Sequence, residues 1–161
     1  MQEVHNMALL NIVKEGDEIL RKKSRPVEKI TPRILTLLDD MHDTLREANG
    51  VGLAAPQVGV LRRIVLVDNG SEVLELINPE IIAVEGEQEE VEACLSCPGK
   101  WGLVKRPAKV TISALDRNGV KQTYTDVGLT ARCFCHETDH LDGILYIDKA
   151  TRMLDPDEIE Q

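Results

Sequence analysis

A chain of 161 residues, 42% of them hydrophobic, carries enough apolar surface to build one packed core, which excludes a disordered chain. Its net charge of −9 argues against direct nucleic-acid binding, because phosphate contacts need clustered Lys and Arg. No apolar run approaches the roughly 20 residues of a membrane span, and no basic-then-apolar leader opens the chain, so a cytoplasmic protein without a membrane partner is expected.

Met1 to Asn6 are polar and precede a second Met at position 7; they read as an upstream start or an added segment and receive no function. Ile19-Leu20-Arg21-Lys22-Lys23 reads as one helical turn that stops before Pro26. Thr31-Pro32 reads as an N-cap followed by the first helical residue. From there Ile34, Leu37, Leu38, Met41 and Leu45 recur at spacings of three and four. That period predicts an amphipathic helix to about Ala48, ended by Asn49-Gly50. Gly50-Val51-Gly52-Leu53-Ala54-Ala55-Pro56-Gln57-Val58-Gly59 follows, rich in small residues and interrupted by Pro, and predicts a loop or irregular strand in close packing.

Residues 64–67, 72–77, 81–84 and 110–115 are short, rich in β-branched side chains and bounded by turn signals, and read as strands. Asn69-Gly70 and Asn118-Gly119 read as hairpin turns. The acidic runs 85–92 and 155–160 read as solvated loop and tail. A helix is expected from near Thr130 to about Leu141, closed by Asp142-Gly143, with a late strand at 144–147. Aromatic residues are scarce (one Phe, one Trp, two Tyr), so aliphatic side chains must form the core. The sum is an α+β fold: mostly antiparallel β-sheets packed around a C-terminal metal-binding helix, with an N-terminal amphipathic helix.

The chemistry concentrates in Cys135-His136-Glu137-Thr138-Asp139-His140. At 3.6 residues per turn the two imidazoles sit about 40° apart on one face, one turn above each other. So placed, they can grip one metal ion while Glu137 stands beside it as a proton carrier, which points to hydrolysis by metal-activated water. The five-residue pattern His-Glu-x-x-His also arises on ordinary helices whose His residues merely face solvent. A catalytic site also wants a third protein ligand and an open fourth position. Cys133 lies about 10.5 Å from His140 along the axis at 1.5 Å per residue, too far for one ion whose bonds are about 2.0–2.3 Å long. Cys135 projects roughly 100° from His136. Cys133 is better read as a small apolar wall residue.

Cys94 and Cys97 remain, in a C-x-x-C on another segment. In a reducing compartment these thiols are more naturally free groups or ligands than disulfides. A thioredoxin-like pair needs a βαβ context that the flanking sequence does not suggest. Cys94, Cys97, His136 and His140 together would make a four-ligand structural zinc site, with no open position and no role for Glu137.

Three segments together resemble peptide deformylases: Gly50-Val51-Gly52-Leu53-Ala54-Ala55-Pro56-Gln57, Glu92-Ala93-Cys94-Leu95-Ser96, and His136-Glu137-Thr138-Asp139-His140-Leu141-Asp142-Gly143. They stand in that family's order with similar separations, and the likeness covers nearly the whole chain, 1–161, as one catalytic domain. The resemblance implies that Cys94, His136 and His140 are the metal ligands, with water in the fourth place. It implies one divalent metal ion per chain, Fe²⁺ physiologically, with Zn²⁺, Ni²⁺ or Co²⁺ able to occupy the site. Glu137 matches the general base, and Gln57 and the backbone N–H of Leu95 match the oxyanion donors. The implied reaction removes the N-formyl group from the initiator Met of newly made polypeptides, near the ribosome, and releases formate. The implied substrate docks as an extended strand along Val51-Gly52 and Ala93. Leu129 and Cys133, one or two turns before His136 on roughly its face, are expected to wall a pocket for the Met side chain; the alternative is that both are core.

Three positions depart from the family pattern. Ala93 stands where Gly usually precedes the ligand Cys, Cys135 where Gln commonly precedes the His, and Trp101 where many members carry Arg. Glu92 is expected to brace the Cys94 loop by pairing with an Arg such as Arg106, and Asp139 to orient a ligand or form a salt bridge. His5 and His42 lack partner spacing and read as surface residues. The competing functions are a small metallopeptidase and a non-enzymatic zinc-binding module. The former normally takes its third ligand downstream, and no His follows His140.

Overall fold

The computed structural model describes residues 8–159. Met1 to Asn6, including His5, lie outside them.

Thr31 caps helix α1 (Pro32–Glu47): its hydroxyl accepts the Ile34 N–H at 3.4 Å, and Pro32 occupies the first turn, where a missing N–H costs nothing. Ile34, Leu38, Met41 and Leu45 are buried and cluster with Leu53, Ile64, Leu66 and Ile77. The helical turn expected near Ile19 is a 3₁₀ turn over Glu18–Arg21, capped by Asp17.

Eight strands follow among the described residues: β1 (Gly52–Ala54), β2 (Ile64–Asp68), β3 (Val73–Glu85), β4 (Gln88–Glu92), β5 (Trp101–Arg106), β6 (Lys109–Leu115), β7 (Lys121–Val127) and β8 (Ala150–Leu154). They form two antiparallel sheets, one in the order β1-β2-β3-β6-β7 and one in the order β4-β5-β8. This is an α+β architecture with antiparallel sheets. Helix α2 (Gly128–Leu141) packs Ala131, Cys133, Phe134, Cys135 and Leu141 onto Val65, Val67, Leu76, Val110 and Ile112 of the larger sheet. It also touches β5 of the smaller one, so it stands where the two sheets meet. Among the described residues no helix is long and apolar enough to cross a membrane.

Several expected boundaries are corrected. Residues 72–77 and 81–84 belong to one strand, β3, whose register against β6 shifts between Ile77 and Glu80. Asn78-Pro79 looks like a turn in sequence. Here Asn78 adopts φ 52°, and its amide exchanges two hydrogen bonds of 2.8 Å with the Val27 backbone, so the strand bulges instead of ending. The acidic run 85–92 is not a loop: Gln88–Glu92 forms β4, with Glu89 opposite Lys105 on β5. Residues 144–147 are not a strand. Asp148 accepts the Leu145 N–H at 3.0 Å and caps a short helix, α3 (Tyr146–Lys149), and the last strand begins only at Ala150. Both hairpin turns form, with Gly70 and Gly119 at positive φ.

His42 is not a free surface residue. Its Nε2 lies 2.8 Å from Glu75 Oε2, and Glu75 also accepts Arg117 Nε at 2.8 Å. Burial alone raises the Glu75 carboxyl, but the hydrogen bonds from Arg117 and His42 outweigh it and leave it at about 2. A carboxyl depressed in the folded state contributes stability that is present above its ordinary value near 4.5 and lost as pH falls toward 2. Glu75→Gln is expected to cost about 1–2 kcal/mol at neutral pH, solvent screening included. Urea unfolding across pH checks this: the gap to wild type should close as pH drops below the ordinary carboxylate range, and a pH-independent gap would contradict it.

Candidate metal centre

The two imidazoles of α2 lie one turn apart, with ring centroids 5.1 Å apart at 64°. Cys94 comes from the turn after β4, and its Sγ lies 3.4 Å from His140 Nε2. Cys94, His136 and His140 each offer one atom, and these atoms all lie within 4.8 Å of one another. Among the described residues no other group of three or more His, Cys, Asp or Glu converges in this way, and Cys97, Cys133 and Cys135 fall outside it. Two imidazoles and one thiol suit a divalent transition ion, so the donor set fits.

The orientation of His136 is set from behind. Its Nδ1 pairs with Glu92 Oε1 at 2.9 Å, which turns Nε2 toward the converging donors. Glu92 also accepts Arg106 through Nε and Nη2, both at 2.9 Å, and Arg132 Nη1 at 3.0 Å. Burial pushes the Glu92 carboxyl up, but His136 and Arg106 outweigh that and hold it at about 2. The expected Glu92–Arg106 pair is present, and the same carboxylate holds His136. Asp139 accepts Arg106 Nη1 at 2.7 Å and Lys149 Nζ at 3.2 Å, so it holds the basic neighbour and touches neither imidazole. The Tyr146 ring stacks on His136, with centroids 5.9 Å apart at 18°.

Glu137 lies beside the imidazoles and is buried, with no hydrogen-bond partner for Oε1 among the described residues. Burial is the main influence on its carboxyl and pushes it up to about 7, against the pull of His136. Gly52 makes room for it. A Cβ there would sit 2.5 Å from Glu137 Oε2 and 2.9 Å from its Cδ and Cγ, so any side chain would displace the whole carboxylate.

Gln57 sits in a 3₁₀ turn over Ala55–Val58. Its Oε1 accepts the Ala54 N–H at 2.9 Å, which fixes the amide so that Nε2 points to Ser96 Oγ (3.1 Å) and Cys94 Sγ (3.5 Å). Among the described residues no acceptor takes the Leu95 N–H. A cavity of about 330 Å³ opens in front of these groups, lined by Val51, Gly52, Gln57, Ala93, Cys94, Leu95, Leu129, Cys133, His136 and Glu137. Cys133 is its buried floor and Leu129, 60% exposed, its rim. The expected site residues thus share one cavity, with His140 just behind it.

The three departures land as follows. Ala93 is not at positive φ, since Asn49 and Asn78 are the non-glycine residues there among those described, so its methyl meets no backbone penalty. Cys135 is buried in the core on α2. Trp101 opens β5 and does not line the cavity. Sequence reading missed Arg132, Ser96 and Tyr146. Arg132 lies one turn before His136 on the same helix face, a spacing that signals a shared partner. No local pattern marks the other two.

Residues 9–155 match the family model described as polypeptide deformylase. A peptide deformylase of Acetivibrio thermocellus is 57% identical over 155 residues, 96% of this chain and 91% of that relative. The crystal structure of a peptide deformylase from Legionella pneumophila is similar at a TM-score of 0.86 and 44% identity, covering 92% of this chain and 88% of that one. A Met-Ala-Ser-bound class I type b peptide deformylase from Acinetobacter baumannii is similar at a TM-score of 0.84 and 33% identity, covering 89% and 99%. A family model across most of the chain, and a relative sharing more than half its residues, establish that the chain belongs to the peptide deformylase family.

Proposed function

We propose that the cavity between β1, the Cys94 turn and α2 is where this enzyme works, with Cys94, His136 and His140 holding one divalent metal ion and Glu137 moving the proton. As a peptide deformylase, the enzyme hydrolyses the N-formyl group from the N-terminal formylmethionine of newly made polypeptides and releases formate. The observation that carries the site assignment is the convergence of three donor atoms within 4.8 Å beside a buried carboxylate with one oxygen unpaired.

When bound, the ion supplies Lewis acidity, which polarises the formyl oxygen and acidifies water. We assign Fe²⁺ as the resident ion, with Zn²⁺, Ni²⁺ or Co²⁺ as substitutes that the same imidazole and thiolate donors accept. The unpaired Oε1 of Glu137 takes the proton from the attacking water and delivers it to the leaving amine. As negative charge grows on the former carbonyl oxygen, Gln57 Nε2 and the unclaimed Leu95 N–H donate to it. Both donors are fixed before the reaction begins, Gln57 by its bond to the Ala54 N–H.

Strands β1 and β4 are both edge strands of their sheets. An extended peptide between them pairs with Val51-Gly52 on one side and Ala93 on the other. Backbone pairing gives affinity without reading sequence, which suits a mixed population of nascent chains. Cys133 and Leu129 form the apolar wall and rim for the Met side chain, and the whole chain, 1–161, acts as one catalytic domain. New polypeptides emerge at the ribosome, so we place the enzyme in the cytoplasm near that site. A four-ligand zinc module finds no support, because Cys97 does not join the converging donors.

Three outcomes follow for protein loaded with iron anaerobically and assayed for formate release from formyl-Met-Ala-Ser. Glu137→Gln should keep its metal and lose about 10²–10⁴-fold in kcat; an undiminished kcat would remove Glu137 from proton transfer. Glu92→Gln should weaken metal affinity about 10–100-fold by freeing His136, measured by chelator competition, and unchanged affinity would contradict the orienting role. Gly52→Ala should retain metal yet lose kcat, because its methyl evicts the Glu137 carboxylate; an Ala variant with normal kcat would show that the carboxylate need not occupy that space.

A further inference from the structure

The C-x-x-C has one member among the converging donors and one outside them. Cys97 is 1% exposed and packs with Leu20, Val104, Leu145 and Tyr146, with Cys94 against that cluster. Deformylation gives it no task. Yet the main chain holds it next to Cys94: the Cys97 N–H donates to the Cys94 carbonyl at 2.9 Å and closes a tight turn. Such a turn keeps its first and last Cα within about 7 Å, and disulfides span Cα separations of about 4.4–6.8 Å. Cys94 lines the cavity, so a small oxidant entering there meets Cys94, while Cys97 is sealed behind it.

We propose that Cys94 and Cys97 form a peroxide-reactive dithiol, a modification site in which Cys97 rescues oxidised Cys94. The Cys94 sulfur attacks one oxygen of a hydroperoxide. The O–O bond breaks, an S–OH group forms, and the second oxygen leaves with the Cys94 proton as water or an alcohol. The Cys97 sulfur then attacks the Cys94 sulfur; the S–S bond forms, the S–O bond breaks, and the hydroxyl leaves with the Cys97 proton as water. Two thiols have lost two protons and two electrons, and the hydroperoxide has gained them. Without Cys97 the S–OH group would take up further oxygen and pass beyond recovery by thiols. With Cys97, an added dithiol restores both sulfurs by exchange. The dithiol chemistry stands on the turn geometry alone; its effect on turnover rests on the proposed role of Cys94 as a ligand.

The test treats Ni²⁺-loaded enzyme with a small excess of hydrogen peroxide. It reads free thiols, intact mass and mapped peptides, and follows formate release before and after dithiothreitol. Wild type should lose two of its four thiols and two hydrogens in mass, yield a fragment linked through Cys94 and Cys97, and regain activity with dithiothreitol. Cys97→Ala and Cys97→Ser should start with near-normal activity, then gain oxygen at Cys94 and stay inactive after dithiothreitol. Wild type that carries oxygen at Cys94, Cys94 linked to Cys133 instead, or Cys97 variants that recover like wild type would overturn the proposal. A linked fragment in fully active enzyme would uphold the dithiol and instead remove Cys94 from the ligand set.

Discussion

Glu92, 4% exposed, accepts hydrogen bonds from Arg106, Arg132 and His136, and so ties β4 to β5 and α2. Taking a carboxylate and two guanidinium groups out of water is costly unless every charge is met. Here it is met: Arg106 reaches on to Asp139, and Arg132 to Gln88 Oε1 and two backbone carbonyls. Removing one partner from such a network typically costs about 3–5 kcal/mol, because the remaining charge stays buried. Cys94 follows Glu92 by two residues, so the carboxylate that aims His136 also anchors the segment carrying the thiol. The convergence of donors from two distant segments is a consequence of that one ionic cluster.

Two carboxylates in this centre are driven in opposite directions. Burial raises both, but Glu92 accepts hydrogen bonds from its cations and settles at about 2, whereas burial outweighs the pull of His136 and Arg106 on Glu137 and leaves it at about 7. A permanently charged group can hold cations in place; a carboxyl poised near neutrality can carry a proton. Gly52 is part of the same division, because the space its missing side chain leaves is filled by the Glu137 carboxylate. The first residue of β1 is thus clearance for the Glu137 carboxylate.

What could be read from the sequence was what the local period determines. The helical spacing of His136, Glu137 and His140 carries its own geometry, as does the apolar stripe of α1 capped by Thr31. The choice between Cys94 and Cys97 was not legible from spacing, because both lie on one short turn and only the path of β4 decides which sulfur faces α2; the family resemblance had to supply it. Strand β4 hid behind its acidic side chains, since Glu89 and Glu90 face solvent on an edge and no apolar alternation marks them. Asn78-Pro79 carried a turn signal that a bulge absorbed, and Asp148 converted an expected strand into a capped helical turn. Arg132, which the sequence reading passed over, is a buried partner of Glu92. In each case long-range partners overrode a correct local signal.

A site with one thiol, two imidazoles and a vacancy for chemistry is what separates a hydrolase from a structural zinc knot. X-ray absorption on the metal-loaded enzyme counts those neighbours directly. One sulfur and two imidazole nitrogens, completed by an oxygen donor from solvent, is the expected coordination. A second sulfur on the metal, or none, would contradict it.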